Sequence, residues 1–564
     1  MKIITLFLCS SLFIIHSSFA QTWDWAKAGT NAHSSDWCDP YAITTDNKGN
    51  IFETGYEWGS VAFGGDSATH GLFLVKYDSA GNVKWVNDEG GPADAFSVST
   101  DKAGNSYVIG QFATSLTFGT TTLTCTGSSD VFYVKYDPNG NVIWAKCAKV
   151  SNPGGAYVGF GIQVGASNNV YLTGEFLDSI NFDAHQLYSK YASVFTVKID
   201  SNGNTIWARS AVVPNKPAIN GITRSNSITT DAHDNVYIAG TFTDTLIFGS
   251  SMVTNSTVAG DVFLAKYDSS GNAIWAKCGS NAGKYGRSTN GVACYSTVAD
   301  HSGNVYITGE FMDSISFGSF NLITGFIEGD FFLAKYDPAG NVLWAETEST
   351  HAGSSYNANF GYSLSVDKYN NIYACGTFWD TITFGAVRLI STAQYPSFIV
   401  KFDSMGNGVC GTSVNNYNDD YNAIATDPLS SKVYFGGDVD GSSCAFGNIT
   451  LTGIGIEFSF LAKWEPCPST EGINSIKNSE TAITVFPNPN KGIFTVAFNH
   501  AELVSASQTI ELYNMLGQKV YSEIRPLADD NRIDISTQPS GIYLYRVISA
   551  DGNLLGDGKI IIQK

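Results

Sequence analysis

Lys135-Tyr136-Asp137-Pro138-Asn139-Gly140-Asn141-Val142-Ile143-Trp144 decides how this chain folds, because the stretch returns. The copies at 76–85, 266–275 and 335–344 keep the same Lys-Tyr-Asp-x-x-Gly-Asn-x-x-Trp pattern, and the copy at 198–207 carries Ile199 in place of the Tyr. A sixth, at 401–410, has Phe402 and ends in Cys410, and a seventh stops at Lys463-Trp464-Glu465-Pro466. A constant frame separated by loops of varying length is the mark of a repeat architecture.

A second motif, Asp-x-x-Gly-Asn-x-Tyr-x-x-Gly, interleaves with the first. It starts at Asp46, Asp101, Asp231, Asp300 and Asp367, with looser copies around Ala166 and Asp427. Each unit then resolves into four short alternating runs, in the first unit 41–45, 51–58, 72–77 and 83–87. Both connecting turns share one chemistry: the Asp carboxylate accepts hydrogen bonds from the backbone after it, and the Gly supplies the left-handed conformation of a bulged hairpin. A calcium loop would need oxygen ligands at alternating positions, where this chain has Ser79, Ala80, Lys102 and Ala103, so the motif reads as a turn.

Seven four-stranded units predict an all-β, seven-bladed β-propeller, since each blade can bury its faces only against its neighbours. The seventh unit has no fourth strand. The N-terminal Trp23-Asp24-Trp25-Ala26-Lys27 repeats the Trp-Ala-Lys of Trp144-Ala145-Lys146 and Trp275-Ala276-Lys277. It is expected to complete the last blade and so close the ring, removing both free edges. The pattern resembles the bacterial seven-bladed β-propeller repeat family over roughly 21–466, which implies a fold and no particular reaction.

The flanks speak of export. Lys2, an apolar run at 3–15 and the small residues of Ser18-Phe19-Ala20 predict a signal peptide at 1–20, cut between Ala20 and Gln21. That run is shorter than the ~20 residues a membrane span needs, and no later stretch is expected to cross a bilayer. The propeller is placed at 21–467, a polar linker at 468–480, and a small Ig-like β-sandwich at 481–564. In this last segment Phe486-Pro487-Asn488-Pro489 with Gly492, then Leu512-Tyr513-Asn514-Met515-Leu516-Gly517-Gln518-Lys519-Val520, Pro539-Ser540-Gly541-Ile542-Tyr543 and Lys559-Ile560-Ile561-Ile562 follow in order. They resemble the C-terminal sorting domain of the type IX secretion system of Gram-negative bacteria. The resemblance implies passage through the periplasm, docking on the type IX machinery as partner, removal of the domain, and release or attachment at the cell surface.

Composition narrows the partners. A net charge of −19 repels phosphate backbones and anionic headgroups, so no nucleic acid is expected. The histidines are scattered without metal-ligand spacing, and neither a nucleophile elbow nor a phosphate-binding loop is present. No catalytic, metal-binding or cofactor-binding residue is therefore assigned, and no cofactor is expected. Glu175 and Glu310 occupy equivalent places in two units and form the candidate carboxylate pair. Once Cys9 leaves with the signal, nine cysteines remain, with Cys278 and Cys294, or Cys444 and Cys467, as candidate bridges.

The function expected is binding or adhesion outside the cell, with a glycan or protein ligand. The alternative is a secreted polysaccharide hydrolase or lyase with its site on the propeller face. Antiparallel alternation puts all the Asp-x-x-Gly-Asn turns at one end of the ring and the long connections at the other. That places Tyr157, Phe160, Tyr285, Tyr356 and Phe360 as candidate ligand-face residues. The Trp repeated on strand four is expected to pack blades together.

Overall fold

The computed structural model describes residues 22–150, 158–215, 223–255, 260–281, 292–324, 329–350, 359–391, 395–415, 422–430, 432–454, 457–467, 483–498, 508–514, 518–525, 532–549 and 554–564. The described residues form antiparallel β-sheets and no helix. The chain divides into two compact units, 1–468 and 469–564.

In the larger unit one arrangement recurs. Trp37–Thr45, Ile51–Trp58, Gly71–Tyr77 and Val83–Asp88 pair antiparallel in chain order, and the same four-strand order returns along the chain. The turns are built as their residues require. Asp46 Oδ1 accepts the N–H groups of Lys48 and Asn50, Oδ2 accepts the Asn50 side-chain amide, and Gly49 sits at φ 76°. The sheet containing Ala423–Thr426, Val433–Asp440 and Glu457–Glu465 takes its fourth strand from Thr22–Ala28, with Trp23 opposite Trp464 and Ala26 opposite Ala462.

The connection between second and third strands carries a hairpin of its own, such as Ser115–Phe118 with Thr121–Thr124. At several places the fourth strand of one repeat runs on to pair with the hairpin of the next. Lys149 and Val150 meet Asn181 and Ile180, and Thr30 and Asn31 meet Ala62 and Val61.

Apolar cores form between successive repeats, because a sheet apolar on both faces must bury each against a neighbour. Tyr107 and Tyr133 of one repeat share a core with Leu172 and Phe195 of the next. Phe73 and Val75 of the first repeat share one with Tyr434 and Leu461 of the last.

The repeated Lys and Trp act at these same seams. Lys76 Nζ and Trp85 Nε1 both donate to the carbonyl oxygen of Pro138, in the turn of the next repeat, at 2.8 and 3.1 Å. Lys135 and Trp144 do the same at Ser201 (3.2 and 3.1 Å), and Lys335 and Trp344 at Ser404 (3.1 and 3.2 Å). Trp25, on the N-terminal strand, donates to Ser79 of the first repeat. The indole lies flat enough on the turn that a Cβ on Gly140 would stand 3.0 Å from the Trp85 ring, so that Gly serves both its φ of 88° and this contact.

Cys410 breaks the series, and its seam is covalent: Cys410 is bonded to Cys467. This corrects both expected bridges, since Cys278, Cys294 and Cys444 are free thiols. Strand pairing explains the choice. Cys410 stands opposite Lys401, as Trp85 stands opposite Lys76, and Cys467 lies just past Glu457–Glu465 in the neighbouring repeat. Cys278 and Cys294, though near in sequence, pack into different cores.

The smaller unit has two antiparallel sheets. One orders Ile483–Phe486, Ile493–Phe498 and Arg532–Asp534; the other orders Lys519–Arg525, Gln508–Asn514, Gly541–Ser549 and Leu554–Ile562. Phe494, Val496, Leu512, Ile533, Val547 and Ile560 fill one core between them. The opening motif is held to the closing strand, because the Asn488 side chain accepts the Ile561 N–H and donates to the Lys559 carbonyl, both at 2.8 Å.

Candidate ligand-binding cavity

The first strand of each repeat in the larger unit carries the site. In six repeats its register slips by one residue opposite a glycine, leaving Tyr41, Phe96, Phe160, Asn226, Tyr295 or Tyr362 outside the ladder. Such a bulge re-aims the extra side chain. The glycine opposite is the last residue of the Asp-x-x-Gly-Asn-x-Tyr-x-x-Gly motif, and its role follows from the bulge: a Cβ on Gly110 would collide with the carbonyl oxygen of Asp94. In the last repeat Asn422 takes the corresponding place, just before Ala423–Thr426.

These seven side chains line one cavity of about 670 Å³. Tyr41 and Phe96 lie 5.3 Å apart between ring centroids, Phe96 and Phe160 5.5 Å, and Tyr295 and Tyr362 5.4 Å, forming an aromatic girdle. Arg224 lies over the Phe160 ring at 5.9 Å, and its Nε is 3.3 Å from Glu175 Oε2. Elsewhere along the wall, hydroxyls tie one first strand to the next. Ser99 Oγ accepts the Val164 N–H (3.1 Å), Ser296 Oγ that of Leu364 (3.1 Å) and Ser365 Oγ that of Thr426 (3.0 Å), while Thr45 donates to the Thr426 carbonyl (2.9 Å). The wall is therefore polar and pre-formed, and its volume falls in the range of small-molecule sites.

Among the expected site residues, Phe160 belongs to the girdle. Phe360 opens the strand Phe360–Val366 and stacks on Tyr362 at 5.7 Å. Tyr157, Tyr285 and Tyr356 lie outside the described residues, as do Ala20 and Gln21. Glu175 and Glu310 have different partners, Arg224 for the first and Tyr295 for the second. Burial raises the Glu175 carboxyl while Arg224 lowers it; burial pushes Glu310 up to about 7, with the Tyr295 hydroxyl donating to its Oε1 at 2.7 Å. Among the described residues no cluster of His, Cys, Asp and Glu could hold a metal ion.

The expected set missed Tyr41, Phe96, Arg224, Asn226, Tyr295, Tyr362 and Asn422. A signal was present: five residues before each first turn, at Asp46, Asp101, Gly165, Asp231, Asp300, Asp367 and Asp427, stands an aromatic residue or an Asn.

Residues 484–563 match the family model of the secretion system C-terminal sorting domain. The chain is secreted or attached to the outer cell surface. Its sorting domain marks it as cargo of the type IX system and implies interaction with that machinery. The chain is also 25% identical over 462 residues to an uncharacterized WD repeat-containing protein of Acanthamoeba polyphaga mimivirus. The match covers 68% of this chain and 32% of the viral protein, so the chain spans about a third of that relative's length. No helix among the described residues is long and apolar enough to cross a membrane.

Proposed function

We propose that residues 21–467 form a seven-bladed β-propeller closed by the N-terminal strand, and that this propeller binds a ligand outside the cell on its aromatic girdle. The fold reading draws on the recurring four-strand order, the core shared by first and last repeats, and the likeness to a WD-repeat protein. Signal peptidase cuts between Ala20 and Gln21, and the sorting domain is removed after export.

The observation that carries the function is the bulge repeated on the innermost strands. It turns an aromatic or amide side chain toward the cavity in six repeats, with Asn422 lining it from the seventh, while the identity of that side chain varies. Stacking surfaces with adaptable hydrogen bonds suit recognition. A hydrolytic site would call for two carboxylates facing each other across a bond, and Glu175 and Glu310 have other partners.

The test is binding of the exported protein to glycan and peptide arrays. Phe96→Ala and Tyr362→Ala should lose the signal with melting temperature unchanged. Product release from a polysaccharide, lost in Glu310→Gln, would replace this reading with a hydrolase or lyase.

A further inference from the structure

We infer that the girdle takes the carboxylate-bearing end of a glycan, a hexuronate among otherwise neutral sugars. This rests on the reading of the cavity as a ligand site and adds the chemistry of what enters it.

The charge distribution comes first. The chain has 51 Asp and Glu against 32 Lys and Arg, yet among the described residues no Asp or Glu lines the cavity and Arg224 is the one charged side chain that does. In a chain of net charge −19, the charge presented along this lining is that of a guanidinium.

Arg224 is prepared for that role. Its Nε is held by Glu175 and its guanidinium carbon lies over the Phe160 ring, while 48% of the side chain stays exposed. A guanidinium fixed along one edge offers its terminal nitrogens as a fork, the geometry that receives a carboxylate through two parallel hydrogen bonds. A single fork in a protein of charge −19 suits one carboxylate and disfavours a polyanion.

The remaining lining matches sugars. Phe96, Tyr295 and Tyr362 offer ring faces for the C–H surface of a pyranose, and Asn226 and the wall hydroxyls offer donors and acceptors for its OH groups. A peptide adding as a strand would need free backbone N–H groups on the innermost strands. Those of Val164, Thr297, Leu364 and Thr426 are already taken by Ser99, Ser227, Ser296 and Ser365.

The experiment is calorimetric titration of the exported protein with oligosaccharides ending in galacturonate, glucuronate, mannuronate or guluronate, with neutral gluco-oligosaccharides of equal length, and with a peptide bearing a free C-terminal carboxylate. At least one uronate should bind about tenfold or more tighter than its neutral counterpart, with affinity falling as salt is raised. Arg224→Gln should erase the preference, and Arg224→Lys should restore it only in part, with both variants still unfolding cooperatively. Equal binding of neutral and uronate probes, unmoved by Arg224→Gln, would overturn the carboxylate inference and leave the girdle standing. Binding that survives Phe96→Ala and Tyr362→Ala would overturn the girdle itself. Binding of the peptide alone, or of no probe, would overturn the inference.

Discussion

The third and fourth strands of the larger unit differ from the first in what they repeat. The later pair repeats residues: Lys76, Lys135 and Lys335 with Trp85, Trp144 and Trp344 all reach a carbonyl oxygen in the next repeat's turn. The first strand repeats a position. Its bulge recurs, yet the residue displayed is Tyr, Phe, Phe, Asn, Tyr or Tyr in turn. A side chain that must hold a neighbouring copy of itself is fixed by that neighbour, whereas one that faces a shared cavity answers to whatever enters it. In this molecule construction is spelled by repeated residues and recognition by a repeated place.

If the third and fourth strands are construction, breaking them should cost stability first. The largest loss is expected from deleting residues 23–29, which removes Trp23 from its contact with Phe446 at 4.9 Å and leaves the strand Glu457–Glu465 unpaired on one side. Chemical denaturation should show a loss of about 5 kcal/mol, on the scale of truncating two half-buried Trp side chains and losing the strand that carries them. An unchanged unfolding midpoint would remove the N-terminal strand from the frame.

The covalent seam should come next. Cys410 and Cys467 close a loop of 57 residues, for which chain entropy gives about 4 kcal/mol. Cys467→Ser should lose about that much and should leave ligand binding alone.

The third expectation is set by pH. Glu53 and Glu310 are both pushed by burial up to about 7 from an ordinary 4.5, each partly offset by a tyrosine hydroxyl donated to the carboxyl group. The folded state therefore holds protons that the unfolded chain releases. Their stabilisation is complete below the ordinary value and is lost as pH rises through about 7, up to about 3 kcal/mol for each group. Melting temperature should fall between pH 5 and pH 8, and less steeply in Glu310→Gln. A flat profile would mean that these carboxyls ionise freely in the fold.

The frame was far more legible than the site. Asp-x-x-Gly-Asn declares its turn because the chemistry lies within five residues, and Asp46, Lys48 and Asn50 meet as the motif implies. The girdle was hidden because each copy contributes one residue. Phe160 was picked out from loop composition, while Tyr41, Phe96, Tyr295 and Tyr362 each look like ordinary strand aromatics until the bulge aligns them. Its trace was Gly110 and its counterparts, which read as a motif ending and proved to be where a backbone carbonyl comes too close for a Cβ. The disulfide escaped for a similar reason: Cys410 was visible as a missing Trp, but its partner is found only once strands are paired across a seam.

The measurement that bears most directly on the division of labour is a melting temperature and a glycan-array signal taken side by side on Phe96→Ala and Trp144→Ala. Trp144 gives up its hydrogen bond to Ser201 and its packing on the turn, so its variant should lose about 2 kcal/mol of stability and keep its ligand. Phe96→Ala should keep its melting temperature and lose the ligand. Stability and binding falling together in both variants would contradict the account.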